Sequence, residues 1–390
     1  MLPSDRVSDV PEGREDPLRA VVIVGTRPEG IKMAPVHRAL SAAPGIESLL
    51  VSTGQHREML QQVLDVFGLC AERDLGVMTH NQSLASLTAR MVERIDALLA
   101  ECEPDVVLVQ GDTTTVFCAS LCAFYRDIPV AHVEAGLRTG NLRSPYPEEA
   151  NRVLAGRLAT IHFAPTETAR NNLLREGVDR QSVLVTGNTV IDALFYEVQR
   201  QTDDDGLRES IDADLAERLS AAGAFANACI DDMPFILVTG HRRESFGGGF
   251  DRICDALARL ASRFSDHRIV YPVHLNPNVK GVVHDRLAGF DNVALLPRLS
   301  YRLFVRLMST CRVVLTDSGG VQEEAPSLGK PVLVMRENTE RPEGVEAGTV
   351  KLVGTDPHRI VAETARLLED DTAYRAMAEQ RNPYGDGKAS

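Results

Sequence analysis

The chain has 390 residues, 44% of them hydrophobic and 25% charged, with a formal net charge of −13. Such a chain is long enough for two core-bearing domains, and its acidic balance argues against a nucleic-acid or membrane-surface partner, either of which calls for a basic face. An anionic small ligand would need positive charge concentrated in its pocket.

Residues 1–19 are rich in Asp, Glu, Arg and Pro and contain no apolar core of a secretion signal, so they read as a flexible lead-in. No apolar run approaches the roughly 18 residues of a membrane span. The seven cysteines, Cys70, Cys102, Cys118, Cys122, Cys229, Cys254 and Cys311, form no C-x-x-C pair. They read as free thiols in a reducing compartment, and the expected location is cytoplasmic.

Order begins at Ala20–Val24, a continuous apolar strand broken by Gly25-Thr26-Arg27-Pro28-Glu29, where Pro28 suits the first turn of a helix. A strand around Leu49–Ser52 follows, then the loop Thr53–Met59 and a helix with Leu60, Val63, Leu64 and Phe67 on one face. Apolar residues at 84, 87, 91, 95, 98 and 99 predict a helix over Leu84–Cys102. Asp105–Gln110 reads as a buried strand running into Gly111-Asp112-Thr113-Thr114-Thr115, and Pro129–Val133 as another, ending at Glu134. Pro145–Glu149 opens a helix with two carboxylates in its first turn. Strands near Ile161–Ala164 and Val183–Val185 complete the first half.

From about Asn188 to Gly223 the composition turns polar, which places the domain connection there. The pattern restarts with the strand Phe235–Val238, the loop Thr239–Gly249 and a helix carrying Ile253, Leu257 and Leu260. Further strands are predicted at 269–273, 292–296, 313–316 and 332–335. Strand and helix alternate throughout, so the expected fold is α/β: two parallel sheets covered on both faces, side by side, with a cleft at their C-terminal ends.

The most ligand-like stretch is Val313–Glu343. A buried strand breaks into Asp317-Ser318-Gly319-Gly320, where adjacent glycines allow close backbone approach and the next helix N-terminus favours an anion. Glu323 and Glu324 follow, one of them placed to accept from sugar hydroxyls, and a second strand delivers Arg341 to the same edge. Other strands end in Arg27, Asp112, Glu134 and His241, which an open parallel sheet gathers in one crevice. Each has a plain alternative. Asp112 suits a cap for the helix at Thr113, Glu148 and still more Glu149 suit first-turn dipole partners, and His241 suits an ordinary loop residue. His132 and His162 read as core or edge histidines. No His/Cys/Asp cluster has metal-ligand spacing, so neither metal nor cofactor is expected. There is no Walker loop, and no G-x-G-x-x-G follows the first strand.

Taken together, GTRPE at 25–29 with Lys32, QHREM at 55–59, GDTTT at 111–115, HVEAGLRT at 132–139, PEEANR at 147–152, TGNTVID at 186–192, GHRRESFG at 240–247, PVHLNPN at 272–278, the 315–336 segment and ERPE at 340–343 resemble the non-hydrolysing bacterial UDP-N-acetylglucosamine 2-epimerases. The match is in order from Ala20 onward. The resemblance implies the GT-B arrangement, with Rossmann-like domains at 20–188 and 189–375, the second binding UDP, and a segment 376–390 returning to the first. It implies reversible inversion at carbon-2 of UDP-GlcNAc to UDP-ManNAc, by loss and re-addition of UDP through 2-acetamidoglucal, as a supply of precursor for surface polysaccharide. Asp112, Glu134 and Glu148 would supply carboxylates, while His241 steadies the leaving group. Arg27, Lys32, Ser318, Gly319, Gly320, Glu324 and Arg341 would contact UDP and ribose, with Phe304 near the uracil. Gln55, Arg57, Glu58 and His274 resemble a site for a second UDP-GlcNAc acting as activator, and the family implies a homodimer. A GT-B glycosyltransferase, a hydrolysing epimerase and a catalytically silent nucleotide-sugar sensor are the alternatives.

Overall fold

The computed structural model describes residues 16–55, 57–79, 82–223, 230–232, 234–240, 248–273 and 277–390. Apolar runs become strands wherever both of their faces can be covered: Val21, Val22, Ile23 and Val24 are all buried. The first sheet holds β1 (Leu18–Val24), β2 (Ile46–Ser52), β3 (Arg73–Asp74), β4 (Val106–Gln110), β5 (Val130–Val133), β6 (Ile161–Ala164) and β7 (Val183–Val185). Its spatial order is β3-β2-β1-β4-β5-β6-β7. The second holds β8 (Phe235–Thr239), β9 (Arg268–Pro272), β10 (Val293–Leu296), β11 (Val313–Thr316), β12 (Val332–Val334) and β13 (Val350–Leu352), in the order β10-β9-β8-β11-β12-β13. Every described pairing is parallel.

Strand order reverses between β1 and β4 in the first sheet and between β8 and β11 in the second. At such a reversal the connecting helices leave to opposite faces, opening a crevice beyond the strands' C-terminal ends. The loops after β1, β4 and β11 therefore meet there, and those loops carry Arg27, Asp112 and Ser318.

Around the first sheet lie α1 (Arg27–Ala42), α2 (Arg57–Val66), α3 (Leu84–Cys102), α4 (Thr114–Tyr125), α5 (Glu148–Leu158) and α6 (Glu167–Arg175). The predicted ends of α3 are those observed: Ser83 caps it by accepting from the Ser86 N–H at 3.1 Å, and Glu103 leaves in the left-handed region at φ 43°. Next come α7 (Thr189–Asp203) and α8 (Asp205–Ala221). Around the second sheet lie α9 (Gly248–Arg263), α10 (Pro277–Leu287), α11 (Tyr301–Thr310), α12 (Gly319–Ser327), α13 (Pro342–Glu346), α14 (Pro357–Glu369) and α15 (Asp371–Ala378). Among the described residues no helix is long and apolar enough to cross a membrane.

The polar stretch from Asn188 onward, where composition placed the domain connection, is the helix pair α7 and α8, running between the last strand of the first sheet and the first of the second. Val190, Ile191, Ala193, Leu194, Ile211, Leu215 and Leu219 are buried in one cluster with Ile31 and Phe67 of the first lobe and with Val314 and Val321 of the second. Asp203, Asp204, Asp205, Glu209 and Glu217 are exposed while Asp192 and Glu197 are buried, and a narrow apolar stripe suffices to fuse the lobes. The strands β3 and β13 escaped notice because two or three residues carry no readable alternation.

The chain end folds back onto α7. The carbonyl of Tyr384 accepts from the Asn188 N–H at 2.7 Å, and Asp192 accepts from the backbone N–H groups of Ala389 and Ser390, each at 2.9 Å.

Candidate active site

The acidic half of the cleft is built from loops after β1, β4 and β5 and from the start of α5. Lys32, Asp112, Glu134, Glu148 and Arg341 line one cavity of about 330 Å³, together with Glu29, Gln110, Arg152 and Glu340. The three carboxylates singled out in the sequence thus share a space, although 36 positions separate the outer two.

Glu29 ties the first two loops together. Its Oε2 accepts from the N–H groups of Gly25 and Thr26 at 2.9 and 2.5 Å, and its Oε1 from the Thr113 hydroxyl at 2.6 Å. This is the T-x-x-E capping pattern extended to a neighbouring loop. Burial pushes the Glu29 carboxyl above its ordinary range, and the four hydrogen bonds from Thr113, Thr26 and Gly25 oppose that rise. Asp112 does not cap α4: Thr113 does, accepting from the Val116 N–H. That leaves the Asp112 carboxylate to pair with Arg152 at the cavity wall, while its carbonyl accepts from Asn151 Nδ2 at 3.0 Å.

Glu149 does more than sit in a first turn. Its Oε1 accepts from the N–H groups of Thr139 and Gly140, each at 2.9 Å, and its Oε2 lies 3.2 Å from Arg152, pinning the 139–140 loop to α5. Glu148, one residue earlier, has a buried Oε2 with no hydrogen-bond partner. A carboxylate oxygen in that state is available to a ligand.

Glu134 lies at the end of β5 in the left-handed region, φ 61°, a costly conformation for a non-glycine residue. Lys32 Nζ donates to both of its oxygens at 2.6 Å, Gln110 Nε2 donates to Oε2, and Asn188 Nδ2 donates to Oε1 at 3.2 Å. Burial alone would raise this carboxyl. The charge and hydrogen bond of Lys32, with help from Arg341 and Asn188, outweigh burial and hold it below the usual range. Lys32 is itself stabilised as a cation: burial works against it, but Glu134 and Glu323 prevail.

The other half of the cleft is the loop after β11. Ser318 precedes α12, and Gly319 and Gly320 are its first turn, where N–H groups lack intrahelical partners. A Cβ at Gly319 would stand 2.7 Å from Arg341 Cζ, so only glycine lets the guanidinium lie across this helix mouth. Arg341 Nε donates to Glu323 Oε1 at 2.6 Å and its Nη1 to Glu340 at 3.1 Å. Burial opposes its charge, but these carboxylates and Glu134 hold it more firmly protonated than usual. Burial and the neighbouring Glu323 push the Glu324 carboxyl up to about 7; its Oε1 accepts from the Tyr301 hydroxyl at 3.4 Å. Arg27 reaches from α1 into the surroundings of Glu324, Tyr301 and Arg298, where burial and Arg298 reduce its hold on its proton.

Not every predicted residue joins this space. Phe304 packs against the core from α11. Gln55 Oε1 accepts from the Thr115 hydroxyl at 3.3 Å. Arg57, paired with Asp74 at 2.9 Å, and Glu58 line a separate cavity of about 680 Å³ beside Gln61 and Asp65. His241 and His274 lie outside the described residues. Sequence reading passed over Glu29, Gln110, Arg152, Asn188 and Glu340 as site residues. The T-x-x-E spacing signalled Glu29 and a helix-capping Asn signalled Asn188; the others carry no signal apart from the fold. Among the described residues no group of three or more His, Cys, Asp or Glu side chains is arranged to hold a metal.

Two parallel sheets, one presenting carboxylates and the other a glycine-led helix mouth beneath an arginine, define a GT-B-type α/β protein with a cleft shaped for an anionic ligand. A model of the UDP-N-acetylglucosamine 2-epimerase family matches residues 38–390. The UDP-N-acetylglucosamine 2-epimerases of Salmonella typhimurium and Escherichia coli are each 54% identical over 372 residues, covering 95% of this chain and 96% of theirs. The crystal structure of UDP-GlcNAc 2-epimerase from Neisseria meningitidis bound to UDP-GlcNAc superposes with a TM-score of 0.87 at 47% identity, covering 95% of this chain and 97% of that one. This chain belongs to the UDP-N-acetylglucosamine 2-epimerase family.

Proposed function

We propose that the protein interconverts UDP-GlcNAc and UDP-ManNAc by inverting carbon-2 of the sugar. The observation that carries this is the convergence of Asp112, Glu134 and Glu148 on one cavity that also receives Lys32 and Arg341. Relatives sharing half of the sequence bear that activity in their names.

The hydrogen on carbon-2 has no adjacent carbonyl to make it acidic. The obstacle falls if the anomeric C1–O bond breaks: its electron pair leaves with UDP, a carboxylate takes the carbon-2 proton, and a C1=C2 double bond forms, giving 2-acetamidoglucal. Return of a proton to the other face of carbon-2 and of the UDP oxygen to carbon-1 completes the inversion with UDP unchanged. The route needs carboxylates about the ring and positive charge on the departing diphosphate. We assign the first task to Asp112, Glu134 and Glu148. The second falls to Lys32, Arg341, Arg27 and the Ser318–Gly320 helix mouth, with His241 steadying the leaving group. Glu324 is assigned to the ribose and Phe304 to the neighbourhood of the uracil.

Residues 20–188 and 189–375 are taken as the two domains, with 376–390 returning to the first. A cytoplasmic homodimer, activation by a second UDP-GlcNAc through Gln55, Arg57, Glu58 and His274, and supply of surface-polysaccharide precursor complete the reading. A hyperbolic rate curve in UDP-ManNAc, unchanged by added UDP-GlcNAc, would remove the activator. The central test is incubation with UDP-GlcNAc in deuterated water. Deuterium at carbon-2 of a UDP-linked epimer is the expected result; free ManNAc, or a product without deuterium, overturns the proposal.

A further inference from the structure

Asn188 stands where the chain passes from β7 to α7, between the two sheets, and is 2% exposed. Its backbone N–H is taken by the Tyr384 carbonyl, and its Oδ1 caps α7 by accepting from the Val190 N–H at 3.1 Å. Because the oxygen is committed to an N–H, the amide nitrogen must face the other way, and there it finds only acceptors. It donates to Glu134 Oε1 at 3.2 Å and to Glu323 Oε2 at 3.0 Å. An amide has two hydrogens, and two carboxylates from opposite lobes take one each.

A helix cap alone does not explain this choice of residue. Ser, Thr or Asp caps as well as Asn, and none of them offers two donors directed at two carboxylates. The pair it joins is the hub of a buried chain of charges in which Lys32 holds Glu134 and Arg341 holds Glu323. Glu134 serves the sugar side of the cleft and Glu323, through Arg341, the phosphate side.

Resting on the epimerase reading above, we infer that Asn188 is a positioning residue for proton transfer: it locks Glu134 to Glu323, so that the lobe gripping the diphosphate sets the place of the carboxylate facing the sugar. The titratable and charged groups around Glu134 are Lys32 from α1, His132 from β5, Glu323 from α12 and Arg341. Glu29, Asp112, Glu148, Arg152 and Glu340 surround the same cavity. Gln110 and Asn188 are the neutral donors to Glu134, but Asn188 also reaches Glu323, and its hydrogen bond is one of the supports keeping Glu134 ionised.

Two variants test the inference. Asn188→Ser keeps a capping oxygen but is too short to span both carboxylates, and Asn188→Asp keeps the cap, donates nothing and adds a charge. In each, kcat for UDP-GlcNAc should fall at least about 50-fold with KM within about threefold, the scale of a reacting group misplaced by about an ångström. Carbon-2 deuterium exchange should fall in parallel, and UDP affinity measured by calorimetry should stay within about fivefold, since Arg341 keeps Glu323. The acid limb of the kcat–pH profile should move up by about one unit in Asn188→Asp, because Glu134 loses a donor and gains a like charge. Retention of kcat and of the acid limb in either variant overturns the inference. So does a fall in kcat accompanied by an equal loss of UDP affinity with the acid limb unmoved, which marks a structural role. Absence of exchange in the parent protein would instead overturn the epimerase reading, so the two failures are separable.

Discussion

Glu134→Gln separates what the buried ion pair does for the fold from what it does for the reaction. Glu134 accepts two hydrogen bonds from Lys32 Nζ at 2.6 Å, one from Gln110 and one from Asn188. A glutamine there turns its own NH₂ toward donors and leaves the Lys32 ammonium, with a side chain 11% exposed, without its anion. Breaking a buried pair from one side costs about 3–5 kcal/mol. Glu323, close enough to favour the Lys32 charge, reduces this toward the lower end, about 3 kcal/mol. For a unit of roughly 150–250 residues each kcal/mol moves the melting midpoint by about 2–4 °C, so the variant should melt about 6–12 °C lower in calorimetry. Lys32→Met combined with Glu134→Gln removes both charges and should regain most of that loss. Carbon-2 exchange should stay down by about 10²–10⁴-fold in both the single and the double variant, the range for loss of a proton-transferring group. Unaltered melting in the single variant, or recovery of exchange in the double, would refute the reasoning.

Asp112→Asn should also lower exchange by about 10²–10⁴-fold, with UDP affinity by calorimetry near the parent value, because Arg152 keeps Glu149 at 3.2 Å; near-normal exchange would remove Asp112 from the chemistry. Gly319→Ala places a methyl 2.7 Å from Arg341 Cζ and should weaken UDP about tenfold, or about 1.4 kcal/mol; unchanged UDP affinity would show that Arg341 does not bind from its observed position. Glu324 carries a carboxyl raised to about 7 in the folded protein, so the folded state holds a proton that the unfolded state releases near its ordinary value. Its stabilising contribution is complete below about pH 4.5 and is lost as pH rises through about 7, by at most about 3 kcal/mol. Melting of the ligand-free protein should accordingly decline over that window in the parent and less steeply in Glu324→Gln. Parallel pH curves would refute the shift.

The parallel strands were readable because burial on both faces demands uninterrupted Val, Ile and Leu, as in Ala20–Val24 and Val313–Leu315. α3 was readable to the residue because Ser83 caps it and its apolar stripe keeps helical period. The stretch after Asn188 reads as the connection between the halves, but its helical form was not legible, since a helix pair that joins two lobes through a narrow apolar stripe shows mostly charge in its composition. Glu149 was underestimated for a related reason: its first-turn place is visible locally, but its hold on the Thr139–Gly140 loop is not.

What the chain's order of residues determined by itself was local: which runs become strands, where helices begin, and which loops carry glycine, carboxylate or guanidinium, because those choices depend on neighbours a few positions away. Only the tertiary structure decided the long-range partnerships, such as Arg152 with Asp112 and Lys32 with Glu134 within the first lobe, and Asn188 between Glu134 and Glu323 across the cleft. The first two depend on the reversal of strand order in the first sheet, which gathers its loops in one crevice, and the last on the second sheet standing beside it. In that dry space a carboxylate must find a donor, and whichever donor the fold delivers sets its charge and its place.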